Sequence, residues 1–388
     1  MAAPLVIWDQ AMLGYDLGGQ HPLDPLRWQL TWALAHSLGV LDGIELFAPG
    51  AADDYTLATV HTADYINAVK RASAHPRLPV GHGLGTPDNP AFALMHQTAA
   101  LIAGGSVSAG LAIARGEVDR AINIAGGLHH AMPAAASGFC VYNDASLAIA
   151  AMLAAGVGRV AYVDTDVHHG DGVQAAFYHD PRVLTVSIHE SPDSLWPGTG
   201  WPEEVGSGAA AGTSVNIPVP PGTGDADWLS AFQAIVPAVL AAFGPDVLVT
   251  QHGADSHRED PLADLDLTVD GHRQSYQLLR ELAQTHANGR WLALGGGGYS
   301  LVRVVPRSWT QLLAVVLDRD VDPCTPTPAV WRTAASTARP DIAVPTSMTD
   351  GHPGTMEVRP WDAGSRRPID LAVGAVREAV FGVLGAQP

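Results

Sequence analysis

The stretch RVAYVDTDVHHGDG, residues 159–172, decides the fold and most of the chemistry. Its first half is a short β-branched and aromatic run, the length of a strand buried on both faces. Its second half turns abruptly polar. Runs of the same apolar kind begin at Arg120 (RAINIAGG), Arg182 (RVLTVSI), Thr213 (TSVNIPV), Asp246 (DVLVTQHG) and Arg290 (RWLALGGGG). Between and around them lie Ala/Leu-rich stretches that predict helices over 25–39, 91–115, 144–156, 225–243, 269–287 and 301–317. Asp144 and Pro25 stand at two of their starts. Alternating β and α units predict an α/β fold, one open and mostly parallel sheet with helices on both faces.

The 388 residues would allow two or three domains at about 150 residues each. No internal repeat and no Gly, Ser or Pro linker divides the chain before residue 318, so a single domain spanning 1–388 is expected, with a core over about 5–317. From Asp318 to about Asp370 proline is frequent and periodicity is lost, which predicts an irregular wrapping segment before a last helix near 371–384. With 47% apolar and 15% charged residues the chain can bury a sizeable core. Twenty-one basic against 39 acidic residues leave a net charge of −18, and Lys70 is the only lysine. A phosphate-binding track for nucleic acid has almost nothing to be built from. Cys140 and Cys324 form no C-x-x-C pair, so neither a disulfide framework nor a thiolate metal site is expected. A basic leader and a membrane-spanning run are also missing from the pattern, and the expectation is a cytoplasmic protein without a membrane partner.

In an open parallel sheet ligands bind outside the carboxyl ends of the strands, so the polar tails carry the function. After INIA come Gly126, Gly127, Leu128, His129 and His130. After VAYV come Asp164, Thr165, Asp166, Val167, His168, His169, Gly170 and Asp171. After VLVTQ come His252 and Asp255, and after WLAL come Gly295 to Gly298 and Tyr299. Asp164, Asp166 and His168 alternate, so in an extended segment all three would project to one side. A carboxylate and an imidazole from this comb, with Asp255 from a neighbouring strand end, would supply three N/O ligands and leave a fourth position open, the pattern of a catalytic metal. His129 and His130 enter from another strand end, and Asp164 and Asp171 offer a carboxylate to each ring, which would fix tautomers and yield a general base and acid. Tyr299, after a tight glycine turn, would place a phenol near a developing oxyanion.

These residues resemble those of the zinc-dependent histone deacetylase-like hydrolases, nearest to the bacterial acetoin-utilisation deacetylases. The matching blocks are GQHPLDPLR, GTPDNP, GGLHHA, GFCVYND, VDTDVHHGDGVQ, SIHESPDSLWPGTG, QHGADSHREDPL and LGGGGY. The resemblance implies the arginase/deacetylase-like fold and hydrolysis of the acyl amide of N-ε-acetyl-lysine in proteins or peptides, with release of acetate. It implies Zn²⁺, or Fe²⁺, on Asp166, His168 and Asp255. His130 would be general base and acid, His129 an electrostatic support, with Asp164 and Asp171 behind them, and Tyr299 would bind the carbonyl oxygen. Gly138, Phe139 and Trp196 would form the acyl channel, and Asp88 would hold the substrate backbone. Asp164, Asp166, His168, Ser187 and Ile188 would hold a structural K⁺. Departures are Trp196, where the family commonly has Phe, and Leu128, where many relatives have Trp. His252 and His257 read as local polar packing. Arg27 matches an arginine lining an internal cavity, although a structural ion pair would look the same in sequence.

Other readings stay open at this stage. The glycine run at 295–298 suggests a phosphate cradle, but no G-x-x-x-x-G-K-[ST] accompanies it. No G-x-S-x-G elbow supports a serine hydrolase. A dimanganese ureohydrolase of the same fold would need a carboxylate where Gly170 stands. An acetylpolyamine deacetylase, acting on small acylated amines, and a non-catalytic acyl-ligand binding protein complete the set.

Overall fold

In the computed structural model, which describes residues 3–387, eight strands form one sheet. They are β1 (Leu5–Ile7), β2 (Leu46–Phe47), β3 (Arg120–Asn123), β4 (Val160–Asp164), β5 (Val183–Glu190), β6 (Ser214–Val219), β7 (Val247–Gln251) and β8 (Trp291–Leu294). Their order is β2-β1-β3-β8-β7-β4-β5-β6, and every pairing is parallel. All six apolar runs of the sequence are strands. The two additions, β1 and β2, are three and two residues long, too short for any periodicity to declare itself. Strands β4 to β8 are buried at every position, which is why they read as continuous apolar runs rather than alternating ones.

The flanking helices are α1 (Leu26–Ser37), α2 (Asp54–Leu57), α3 (Ala63–Ala74), α4 (Met95–Ala114), α5 (Asp144–Ala154), α6 (Asp171–Phe177), α7 (Asp225–Phe243), α8 (Val269–His286), α9 (Val305–Val316), α10 (Ala329–Ala338) and α11 (Pro368–Leu384). Helix α4 packs on α5 and runs along β1, β3 and β8. Helix α7 lies along β5 and β6, α8 along β7, and α1 packs against α9. By length and composition α4 and α7 would suffice to cross a membrane, yet most of each is buried within this packing. The predicted helices appear within a few residues of their expected bounds. The start of α5 is capped by Asn143, whose side chain accepts from Ser146 N, and not by Asp144.

The segment after Asp318 corrects its expectation of irregularity. Helix α10 lies inside it, and Trp331 Nε1 donates to Leu30 O at 2.9 Å. Trp331 and Ala335 join Leu30, Leu34, Val302 and Met348 in a second, smaller apolar cluster. Only those two residues of α10 are buried, one turn apart, and so thin a stripe leaves no periodicity to read.

Candidate active site

The four polar tails follow β3, β8, β7 and β4, which are consecutive in the sheet. Their carboxyl ends therefore open side by side. His168 Nδ1 stands 3.1 Å from Asp166 Oδ1 and 3.4 Å from Asp255 Oδ2, and one donor atom from each of the three residues falls within 4.8 Å of the others. The alternation noted in sequence has a different cause from the expected extended comb. Strand β4 ends at Asp164, and beyond it Asp166 N donates to Asp164 Oδ1 and His168 N to Asp166 Oδ1, both at 3.1 Å. Each carboxylate thus accepts from the backbone two residues on, an Asx-type turn. Asp164 consequently leaves the cluster, and its Oδ2 accepts from His129 Nδ1 at 2.7 Å and from Tyr162 OH at 2.6 Å.

Several observations show that the cluster suits a cation. Asp255 Oδ2 is buried and accepts no hydrogen bond, which is costly unless something else occupies that lone pair. Burial, then the charge of Asp166, push the Asp255 carboxyl up to about 6. Burial opposes ionisation of Asp166, but the His129 charge and the His168 hydrogen bond outweigh it and hold its carboxyl well below the usual carboxylate range. At His168 burial works against the charged form, yet the hydrogen bond to Asp166 and the nearby Asp255 carboxylate raise the ring to about 10. The surroundings favour positive charge at this point. Glycine is obligatory beside it, since a Cβ at Gly297 would stand 1.8 Å from Asp255 Oδ2 and one at Gly253 would stand 2.1 Å from Asp166 Oδ2. At Gly170 a Cβ would lie 2.4 Å from Asp164 Oδ2, so no side chain fits where a second metal would need its carboxylate.

The histidine pair takes the partners anticipated for it. His129 Nδ1 meets Asp164, and His130 Nδ1 lies 2.7 Å from Asp171 Oδ1. The rings are 3.9 Å apart but sit in opposite electrostatic surroundings. Burial disfavours charge on His129, but the adjacent Asp164 and Asp166 outweigh it and raise the ring to about 9. Burial, then the His129 charge, lower His130 to about 4.

His130 and His168 line a cavity of about 190 Å³ together with Asp88, Gly138, Phe139, Leu195, Trp196, Leu262 and Tyr299. The Trp196 ring lies edge-on to His130 at 4.7 Å, and Phe139 meets Tyr299 edge-on at 5.6 Å. Gly138 is required between them because a Cβ would come within 2.4 Å of His130 and 2.8 Å of Trp196. Asp88 is exposed at the mouth. Ser187 lies opposite Asp164 in the β4–β5 register, next to Ile188. Arg27 makes no ion pair among the described residues. Its Nη1 donates to Gly296 O and Gly298 O at 3.0 and 3.2 Å, and its guanidinium lies between Trp28 and Trp309. Leu195, Leu262 and Asp260, which bonds to Tyr299 N, were not singled out from sequence. Their only signal was membership of the blocks SIHESPDSLWPGTG and QHGADSHREDPL.

A buried, cation-seeking Asp/His/Asp cluster beside a carboxylate-paired histidine and a tyrosine, at the open ends of a parallel sheet, defines a hydrolase of the deacetylase class. The chain belongs to the histone deacetylase family: the model of the histone deacetylase domain matches residues 21–316. The chain is 40% identical to the acetoin utilization protein AcuC of Bacillus subtilis (strain 168), over 90% of either chain. With the AcuC of Staphylococcus aureus (strain MSSA476) it shares 36% over 81% of this chain and 82% of that one. Among solved structures, a histone deacetylase homologue from Aquifex aeolicus superposes with a TM-score of 0.84 at 28% identity, covering 97% of this chain and 100% of its own. A homologue complexed with SAHA gives 0.85 at the same identity and coverage.

Proposed function

We propose that this enzyme hydrolyses the acyl amide of N-ε-acetyl-lysine in proteins or peptides and releases acetate. The observation that carries the reading is one cavity shared by an aromatic-walled channel, a cation-binding cluster and a neutral histidine. A slender aliphatic stem fits between Phe139 and Trp196, since apolar walls accept methylenes. Asp166, His168 and Asp255 would hold one divalent ion of the zinc class, with Fe²⁺ the other candidate for these mixed N/O ligands. Such an ion, when bound, supplies Lewis acidity toward the amide carbonyl and toward water.

The chain's own groups do the rest. His130, kept neutral, donates Nδ1–H to Asp171 and presents Nε2 as the base that accepts the proton of the attacking water. The same Nε2–H then protonates the departing amine. His129, held by Asp164, adds positive charge beside the reaction. The Tyr299 hydroxyl donates to the carbonyl oxygen as negative charge develops there. Asp88 at the mouth accepts backbone N–H bonds from a peptide, an offer that a polyamine cannot make in the same geometry. Asp164, Asp166 and His168, with Ser187 and Ile188, would hold a structural K⁺ behind the cluster. Residues 1–388 are taken as one catalytic domain. The absence of any pairing between Cys140, which is buried, and Cys324, which is exposed, suits a reducing cytoplasm.

A second reading, a small-molecule amidohydrolase for acetylated polyamines, draws support from the net charge of −18, which speeds encounter with polycations. One experiment separates them: kcat/KM for an acetyl-lysine peptide, acetylputrescine and acetylspermidine on one preparation of known metal content, with and without chelator. The peptide is expected to win and Asp88→Ala to weaken the peptide reaction alone. Faster polyamine turnover, or an Asp88→Ala enzyme unchanged toward peptide, gives the assignment to the small molecules.

A further inference from the structure

We propose that Asp260 is the positioning residue for the Tyr299 hydroxyl, setting where the phenol stands by holding the backbone of two walls of the channel at once. The proposal rests on the reading of Tyr299 as the donor to the substrate carbonyl. Asp260 is buried at 7% exposure. Its Oδ2 accepts from Tyr299 N at 2.8 Å and its Oδ1 from Leu262 N at 3.1 Å. Tyr299 and Leu262 both line the cavity, yet they come from the ends of β8 and β7. One carboxylate therefore shapes its own loop through Leu262 N and, through Tyr299 N, extends the join between the two loops beyond the last backbone bond, Ala254 N to Gly297 O at 2.9 Å.

The need for such a fastening comes from the chain on the near side of Tyr299. Four consecutive glycines, Gly295 to Gly298, precede it, and Gly298 has φ +135°, a conformation that a side chain rarely adopts. The run itself is pinned, since Gly297 N donates to Asp166 Oδ2 at 2.8 Å and Arg27 Nη1 to Gly296 O and Gly298 O, so Asp260 takes over at the first residue past it. Among the described residues the Tyr299 hydroxyl itself forms no hydrogen bond, so its aim comes from ring contact with Phe139 and from the backbone that Asp260 holds. The carboxylate is an expensive choice for this place. Burial and the neighbouring Asp255 charge both act against an ionised group, and a carboxylate is kept under such conditions where it satisfies donors that a cheaper side chain cannot. Two backbone N–H groups converge on it, and an asparagine amide offers one acceptor oxygen and turns its NH₂ toward the other N–H.

The test is a double-mutant cycle on the full chain loaded with Zn²⁺, using an acetyl-lysine peptide, with ion content and thermal midpoint measured on every variant. Asp260→Asn is expected to lower kcat by roughly 10- to 100-fold with KM within about threefold and full ion content, the scale of a misaimed oxyanion donor. Tyr299→Phe alone should lose about 10²-fold. The double variant should fall within about threefold of Tyr299→Phe, because a residue that acts through the phenol has nothing left to act on. Asp260→Glu keeps two acceptors on a longer arm and serves if the asparagine variant does not fold; it should keep its ion and lose about tenfold in kcat. Multiplicative losses in the double variant, or losses that track ion content or KM, overturn the proposal while leaving Tyr299 in its role. Unaltered turnover in Tyr299→Phe overturns that role and the proposal with it.

Discussion

Asp255 belongs to one of two buried polar clusters and its chain neighbours Ser256 and His257 to the other, and both clusters are built on histidine and aspartate. The front cluster, Asp166, His168 and Asp255 with the His129–His130 pair, borders a cavity and leaves Asp255 Oδ2 without a hydrogen bond. In the back cluster most groups are paired with one another, and among the described residues the two left without a partner, His252 Nδ1 and Arg307 Nη2, are nitrogens rather than carboxylate oxygens. His272 bridges Ser256 and Ser308 at 2.9 and 3.0 Å, Tyr276 meets Ser308 at 2.6 Å, and Asp350 joins His257 and Arg307 at 2.8 Å each. His252 Nε2 lies 2.7 Å from Thr250 Oγ1. Asp350 also accepts from Val269 N, so the segment after α10 is fastened to the start of α8. Histidines beside aspartates thus serve opposite ends. Where acceptors converge without a donor they are set for a ligand, and where donors and acceptors pair off they hold the chain together.

The largest effect that would sharpen this contrast belongs to the front cluster. Asp255→Asn should lower bound metal and kcat together, the latter by roughly 10³-fold or more, while the thermal midpoint stays within a few degrees because a buried like-charge contact with Asp166 is relieved. Atomic-absorption and kinetic measurements on one preparation check it. Two tightly bound, activity-linked ions per chain would revive the ureohydrolase arrangement.

Next comes Gly297→Ala, which adds a single methyl group where a Cβ would stand 1.8 Å from Asp255 Oδ2. Metal affinity and kcat should drop by about 10²-fold, the scale of a displaced ligand shell. A variant with normal metal content and turnover would show that the front cluster is looser than its packing implies.

In the back cluster Asp350→Ala should cost about 3 kcal/mol of stability, because it leaves buried Arg307 and His257 without their shared carboxylate. Chemical denaturation measures that loss. Turnover well below the midpoint should change less than threefold, and a parallel loss of kcat would merge the two clusters into one functional unit.

The smallest effect, taken per group, is a pH slope. Burial lowers His252 and His272 to about 3 and His61 to about 4. An unfolded histidine titrates near 6.5. Between those values the unfolded chain binds protons that the folded one refuses, so stability is complete above about pH 6.5 and falls as pH drops, by roughly 1.4 kcal/mol per unit for each such histidine. Unfolding titrations at pH 7 and 5 report it, and equal stability at both would contradict neutral burial of these rings.

Much of this architecture was present in the chain itself. Strands buried on both faces must be continuous apolar runs, so β3 to β8 were legible, and the polar residues after them marked the open ends of the sheet. The carboxylates for His129 and His130 were also readable, because an adjacent histidine pair needs two acceptors and Asp164 and Asp171 were at hand. Only the tertiary structure decided which of the alternating carboxylates faces the cluster. Asx-type turns after β4 aim Asp166 inward, while His129, arriving from the end of β3, joins Tyr162 of β4 itself in drawing Asp164 away. The same holds for β1, β2 and α10, whose burial depends on partners rather than on period, and for Asp260, whose second N–H partner, Tyr299 N, arrives only when the ends of β7 and β8 stand side by side. A local pattern records which face an element buries; it does not record which distant group arrives to meet it.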